Sequence, residues 1–442
     1  MATGEAAPAV EKLRALIRIP TVNNLDPALV DTDAFDRLLD ELRTQFPLLH
    51  ERLELTRVGT HGLLFRWAGA SSARPVVLMA HLDVVPVVGT WTRDPFGAEL
   101  ADGAVWGRGT LDDKGCVAGI CEAVEQLLAD GVTPAQDVWL SFGCDEEVTG
   151  SAARAAVAEL RSRGVTPWFV VDEGGAVASE AFPGVSAPVA VVGVTEKGLM
   201  SVELRATSEG GHAATPARDG AVSRLARAIR RLDHSPMRPH LPEPTVELFE
   251  RLAPHASGPM KAVLGNARRG AALLSRLLPR LGPESAAMAR TTFAITTLSG
   301  SPAINVIAGE AKAGVNIRVL TGDTVADALA HIRRVVADDS VEVAVLSADE
   351  PCPVSPRDDA FELIEATIRE VFPDAIPAPY VMMQATDSRF FTEISERVYR
   401  FAPFRMSKHQ RETIHGTDEH LHVDDFVDGI AWYRRLLQSL PA

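Results

Sequence analysis

Short unbroken apolar runs, rather than alternating ones, mark the first half of this chain. Val76-Val77-Leu78-Met79-Ala80, Trp139-Leu140-Ser141-Phe142-Gly143 and Trp168-Phe169-Val170-Val171 are each about a strand long. Runs of that kind predict strands buried on both faces of a sheet. Between them, Cys116 to Ala129 and Ser151 to Arg163 read as helices. In the first, Val117, Ile120, Cys121, Val124, Leu127 and Leu128 fall at helical spacing, and Gly131 stands where such a helix ends. Alternating strands and helices predict an α/β fold around a mostly parallel sheet. Val10 to Ile19 and Asp33 to Phe46 add helices and Leu63 to Trp67 a strand, while Ala98 to Trp106 predicts a hairpin turning at Asp102-Gly103.

From about Leu199 the pattern changes. Met200 to Ala206, Thr292 to Leu298, Ala311 to Val319 and Val341 to Leu346 read as strands, with helices at Ala221 to Leu232 and Val325 to Val336. This β-α-β-β-α-β order predicts an inserted α+β domain of the ferredoxin-like kind over residues 198–350. A catalytic domain would then be split between residues 1–197 and 351–442. Within the insert, His234 to Arg290 is a long stretch rich in Leu, Ala, Arg and Pro. It is expected to be a helical excursion packed on the inserted domain, although its amphipathic, basic run Met260 to Leu281 also has the pattern of a membrane-surface helix.

Composition narrows the setting. A chain of 442 residues exceeds one ordinary hydrophobic core, in keeping with two domains. The net charge of −15 argues against nucleic acid and anionic membrane surfaces as partners. No stretch reaches the roughly 20 apolar residues of a membrane span. The segment Met1 to Glu11 has no signal-like apolar core, so a cytoplasmic protein is expected. Cys116, Cys121, Cys144 and Cys352 have no zinc-type spacing and are expected to be buried, reduced thiols. GxSxG, HExxH and phosphate-loop motifs are absent.

The chemistry lies where the runs end. They lead into His81-Leu82-Asp83, Asp145-Glu146-Glu147 and Asp172-Glu173-Gly174, and the Cys116 to Ala129 helix is preceded by Asp112-Asp113. Open α/β sheets bind ligands beyond the carboxyl ends of their strands. One imidazole and several carboxylates converging there is the donor set of zinc, manganese or cobalt in a hydrolytic site.

Taken in order, Met79 to Pro86, Gly107 to Gly115, Asp145-Glu146-Glu147, Val171 to Gly174 and Ile414 to Glu419 resemble the aminoacylase and carboxypeptidase family of dinuclear zinc hydrolases. That family includes acetylornithine deacetylase, succinyl-diaminopimelate desuccinylase and glutamate carboxypeptidase. Gly107 to Lys114, Val171 to Gly175, Thr386 to Phe391 and the long insertion are most similar to the branch of carboxypeptidase S and the N-fatty-acyl-amino-acid hydrolase/synthase. The resemblance implies an exopeptidase-type catalytic domain with an inserted lid. It also implies two zinc ions, replaceable by cobalt or manganese, bridged by Asp112. His81 and Glu173 would complete one site, Glu147 and His415 the other. Asp172 competes with Glu173, and His409, His420 and His422 lie near His415, which alone is followed at the family's offset by Asp418-Glu419. The family also implies a cis peptide at Asp112-Asp113.

Glu146 would then be the proton-transferring base, and Asp83 would bind the second ring nitrogen of His81. By the same resemblance, His212 is a lid residue that stabilises the oxyanion, in some dimers from the partner subunit. Asn305 and Arg318 would anchor the substrate, with Arg389 lining the same pocket from the catalytic domain. An Arg fork selects a free carboxylate. The implied activity is hydrolysis of N-acyl amino acids or small peptides, with a dipeptidase or carboxypeptidase as the nearest rival, and a homodimer through the lid is expected. A non-catalytic binding protein on the same fold would have no need of His81, Asp112, Glu146, Glu147, Glu173 and His415 together.

Overall fold

In the computed structural model, which describes residues 6 to 442, the apolar runs lie side by side. Gln136–Gly143, Ser71–His81, Phe169–Asp172 and Val398–Arg400 form the parallel middle of a mixed ten-stranded sheet. Successive side chains point to opposite faces. Val76, Leu78 and Ala80 join an apolar cluster with the helices Ala6–Ile17, Lys114–Ala129 and Val423–Gln438, while Val77 and Met79 join another with the helix Ser151–Ser162. That double cover is why these strands are apolar at every position. A side chain buried as completely as Leu78 contributes roughly 1.5–3 kcal/mol.

The parallel expectation holds for this middle, while one flank is antiparallel and the other mixed. Gly62–Trp67 and Glu54–Val58 extend one side. On the other, Val189–Glu196 runs against Val398–Arg400 and is flanked by Ala176–Ala178 and Ile376–Met382. The hairpin of Glu99–Ala101 and Ala104–Trp106 turns at Asp102-Gly103, both with positive φ, and carries His420–His422 as a third strand.

Gly198–Thr207 begins a second, four-stranded antiparallel sheet, in the order Thr292–Ser299, Glu310–Val319, Gly198–Thr207, Val341–Asp349. In its two central strands residues alternate between buried and half-buried, because the helices Ala221–His234 and Val325–Val336 cover one face. Thr324 and Asp327 close a capping box at the start of the second helix.

The helical excursion sits elsewhere than expected. Val246, Leu248, Phe249 and Leu252 of the helix Glu243–Leu252 pack on Val189, Ile376 and Ala378, so the seat is the outer strand Ile376–Met382 of the large sheet rather than the inserted sheet. Arg251 pairs with Glu365, and Arg357 with Glu247 at 2.8 Å, across the same contact. Amphipathic spacing says that a helix has an inner face and is silent on what that face meets. No helix among the described residues is long and apolar enough to cross a membrane. All four cysteines are buried and unpaired.

Candidate active site and metal centre

Register brings the strand ends to one rim. His81 is paired with Gly143 and Leu78 with Val171, so the Asp145-Glu146-Glu147 loop and Glu173 emerge beside His81. Asp112 stands at the entrance to the helix Lys114–Ala129, after a cis Asp112–Asp113 peptide, as the resemblance implies. His415 arrives from the far end of the chain, on the loop between the helix Lys408–Thr413 and the strand His420–His422. Pairing of that strand with Ala104–Trp106 sets its loop against residues 107–112.

Asp112 lies between the two imidazoles. Its Oδ1 is 2.9 Å from His81 Nε2 and its Oδ2 is 2.9 Å from His415 Nε2. His415 Nε2 is also 3.2 Å from Glu147 Oε1. Burial works against an ionised Asp112, but the hydrogen bonds from His415 and His81 outweigh it and hold the carboxyl below its ordinary range. Reciprocally, Asp112 and then Glu147 push His415 up to about 10.

Asp83 ties the ligand segments together. Its Oδ1 and Oδ2 accept from the backbone N–H groups of Glu146 and Glu147, both at 3.2 Å, and Asn23 Nδ2 lies 3.2 Å from Oδ2. His81 Nδ1 is 3.0 Å from the Asp83 carbonyl oxygen and 3.4 Å from Oδ1. The expected contact with His81 is therefore made chiefly through the backbone, and the carboxylate chiefly braces the two glutamates. Outer partners of this kind are worth 10- to 100-fold in metal affinity, by order of magnitude. Asp83→Ala is expected to lose about that much in a competition titration against a chelator, and an unchanged affinity would refute the bracing role.

A second brace carries no apolar signal. Glu419 and Arg108, both fully buried, form an ion pair. Glu419 Oε1 accepts from the amides of Leu111 at 2.8 Å and of Gly109 and Asp112 at 3.1 Å. Arg108 Nη2 donates to the Gly416 carbonyl at 2.7 Å, so the loops bearing Asp112 and His415 are joined. Gly109, at φ +88°, lets the first loop make its turn, and a Cβ there would lie 2.7 Å from Val84 Cγ1.

Carboxylates crowd the rim beyond what two imidazoles balance. Burial, and then Asp112, Asp113, Asp172 and Glu146, raise Glu173 well above its ordinary range. Burial likewise raises Glu146, with Asp387, Glu147 and Asp112 adding to it against the pull of His81. Among the described residues no Lys or Arg pairs with Asp112, Glu146, Glu147 or Glu173. Ligand atoms of His81, Asp112 and Glu147 lie within 4.8 Å of one another and can hold a metal ion. The donor set fits divalent cations, which would neutralise this negative excess. Between the two acids at the third strand, Asp172 has its oxygens engaged by the amides of Glu173 and Ser388, both at 2.9 Å, and the Glu173 carboxylate has no hydrogen-bond partner among the described residues.

The inserted-domain residues form two separate groups. His212 and Asn305 are exposed neighbours, joined by the Ala213 N–H to Asn305 carbonyl bond at 3.2 Å and the pairing of His212 with Val306. His212 Nδ1 accepts from the Ala214 amide at 3.1 Å, and the ring makes no contact with the His81–Asp112 group among the described residues. Arg318 and Arg389 approach one another where the two sheets meet. Burial, and then the nearby Arg389, lower Arg318, and neither guanidinium has an ion pair among the described residues. Arg389 Nη1 donates to the Thr386 carbonyl at 2.8 Å and the group lies over the Phe390 ring.

Sequence reasoning missed Arg108, Glu419 and Asn23 as supports. It also missed the pair Arg400–Glu196 at 2.6 Å, whose Glu196 binds Thr386 and so fixes the loop before Arg389.

Residues 77–439 match the model of Peptidase family M20/M25/M40. Over 443 residues the chain is 35% identical to the N-fatty-acyl-amino acid synthase/hydrolase PM20D1 of Homo sapiens, covering 97% of this chain and 87% of that one. A probable carboxypeptidase S-like 2 of Dictyostelium discoideum is 35% identical over 424 residues, covering 92% and 81%. The M20 family metallo-carboxypeptidase Sso-CP2 from Sulfolobus solfataricus superposes with a TM-score of 0.72 at 16% identity, covering 97% and 98%. Human carnosine dipeptidase 1 gives 0.68 at 16% identity, covering 98% and 96%. At those identities the structures attest the fold alone.

Proposed function

This chain belongs to peptidase family M20/M25/M40 and is a hydrolytic metalloenzyme, and from that premise we propose that it cleaves the amide bond of N-acyl amino acids, long-chain acyl groups included, or of small peptides with a free carboxylate. The observation that carries the reading is the Asp112 carboxylate held between two imidazoles, one oxygen 2.9 Å from each. His81, Asp112 and Glu173 on one side, and Asp112, Glu147 and His415 on the other, would hold two zinc ions, with cobalt or manganese as substitutes. Bound there, the cations would polarise the amide carbonyl and lower the pKa of a shared water toward about 7.

The protein's own residues do the rest. Glu146 accepts the proton of the attacking water and delivers it to the leaving amine. Asp83 and the Arg108–Glu419 pair keep the ligand segments in place. Arg318, with Arg389 beside it, receives the substrate carboxylate, supported by two neighbouring guanidiniums with no ion pair among the described residues. His212 and Asn305, exposed together, fit a role completed by a second copy, so a homodimer through the domain at 198–350 is part of the proposal. So is a cytoplasmic location, supported by four unpaired buried thiols.

A carboxypeptidase or dipeptidase reading draws on the likeness to the carboxypeptidase S-like relative. The test is release of free amino acid, by mass spectrometry, from N-acetyl, N-long-chain-acyl and dipeptide substrates. Cleavage of acyl amino acids supports the leading reading, cleavage of dipeptides alone supports the second, and silence from metal-loaded protein rejects both. Arg318→Ala is expected to raise KM roughly 10- to 100-fold for substrates with a free carboxylate and to leave their methyl esters unaffected.

A further inference from the structure

One face of the helical excursion is left over by the fold. Between Met260 and Leu281 the chain has five basic residues and no acidic one. The helix Ala267–Leu277 packs inward through Ala267 and Leu274, against the helix Glu243–Leu252. Its other side, with the turn that follows, carries Arg269, Ala272, Leu273, Arg276, Leu277 and Arg280, in steps of three and four that place them on one stripe. All six are exposed, Leu273 at 62%, and Leu281 beyond them at 71%. Arg268 turns away to Glu243 and Glu250. Among the described residues, Lys261, Arg269, Arg276 and Arg280 have no ion pair.

Single exposed leucines are ordinary on a protein surface. Leucines interleaved with unpaired arginines on one helical stripe are the pattern of a helix lying in a lipid headgroup layer, its apolar side chains in the acyl boundary and its guanidiniums among the phosphates. We propose that this stripe docks the protein on the surface of a bilayer containing anionic lipid. A second copy seated on the same stripe would bring arginine against arginine with no acid to offset them. The net charge of −15, which counts against an anionic surface for the molecule at large, does not describe this face. Charges more than about 8 Å away are largely screened at physiological salt.

Vesicle flotation of the full chain tests this without reference to turnover, so its failure is separate from failure of the proposed reaction. Wild-type protein should float with vesicles of phosphatidylcholine mixed with phosphatidylglycerol, not with phosphatidylcholine alone, and high salt should release it. R269E/R276E/R280E should weaken binding about 100-fold. L273E/L277E should abolish flotation, with circular dichroism and turnover of a water-soluble N-acetyl amino acid unchanged in both variants. Absence of flotation with anionic vesicles, or equal flotation of the variants, would overturn the proposal. So would self-association that L273E/L277E dissolves in a protein that ignores vesicles.

Discussion

Glu146→Gln should retain its full metal content and lose turnover by roughly 10²- to 10⁴-fold, the range of a positioned general base. The backbone of Glu146 is pinned by Asp83 Oδ1 at 3.2 Å, and its neighbour Glu147 faces His415. Nothing among the described residues binds the Glu146 carboxylate, which sits among Asp387, Glu147 and Asp112 with its basicity raised by burial. Glutamine preserves the volume and the backbone contact and removes the proton acceptor. Metal analysis of purified protein alongside kcat on the same sample checks both halves. A variant as active as wild type would move the base elsewhere, and one that loses metal would make Glu146 a ligand.

Glu419→Gln should cost about 3–5 kcal/mol of stability, because it leaves the Arg108 guanidinium charged and buried without its counter-ion. Burial raises the Glu419 carboxyl in spite of Arg108, and replacing a buried pair whole by apolar groups is often neutral. The damage lies in removing one partner. The same change loosens the amides of Gly109, Leu111 and Asp112 and the link through Gly416, so metal affinity should fall together with stability. Denaturant unfolding of metal-free protein isolates the first effect, and a loss under about 1 kcal/mol would show that the pair is replaceable.

Much of the rim was legible because strand ends are legible. Unbroken apolar runs announce strands covered on both faces, and the polar residues that follow them mark the rim, which is how His81, Glu147 and Glu173 stood out. His415 was different. It lies on a loop with positive φ and no apolar period, and only the resemblance of Ile414 to Glu419 singled it out. The partners Arg108 and Glu419 are 311 positions apart and leave no local trace. Asp83 is expected from the sequence as a partner of the His81 ring, whereas its carboxylate mainly serves Glu146 and Glu147, a contact made only in three dimensions. The excursion's seat failed for a related reason, since the outer strand Ile376–Met382 that it covers lies far along the chain.

In the proposed centre Asp112 bridges two cations. Crystals grown with zinc, measured on either side of the zinc absorption edge, test it directly. Two anomalous peaks should flank the Asp112 carboxylate, one against His81 and Glu173 and the other against Glu147 and His415. A single peak, or a second ion held by Asp172 in place of Glu173, would contradict it.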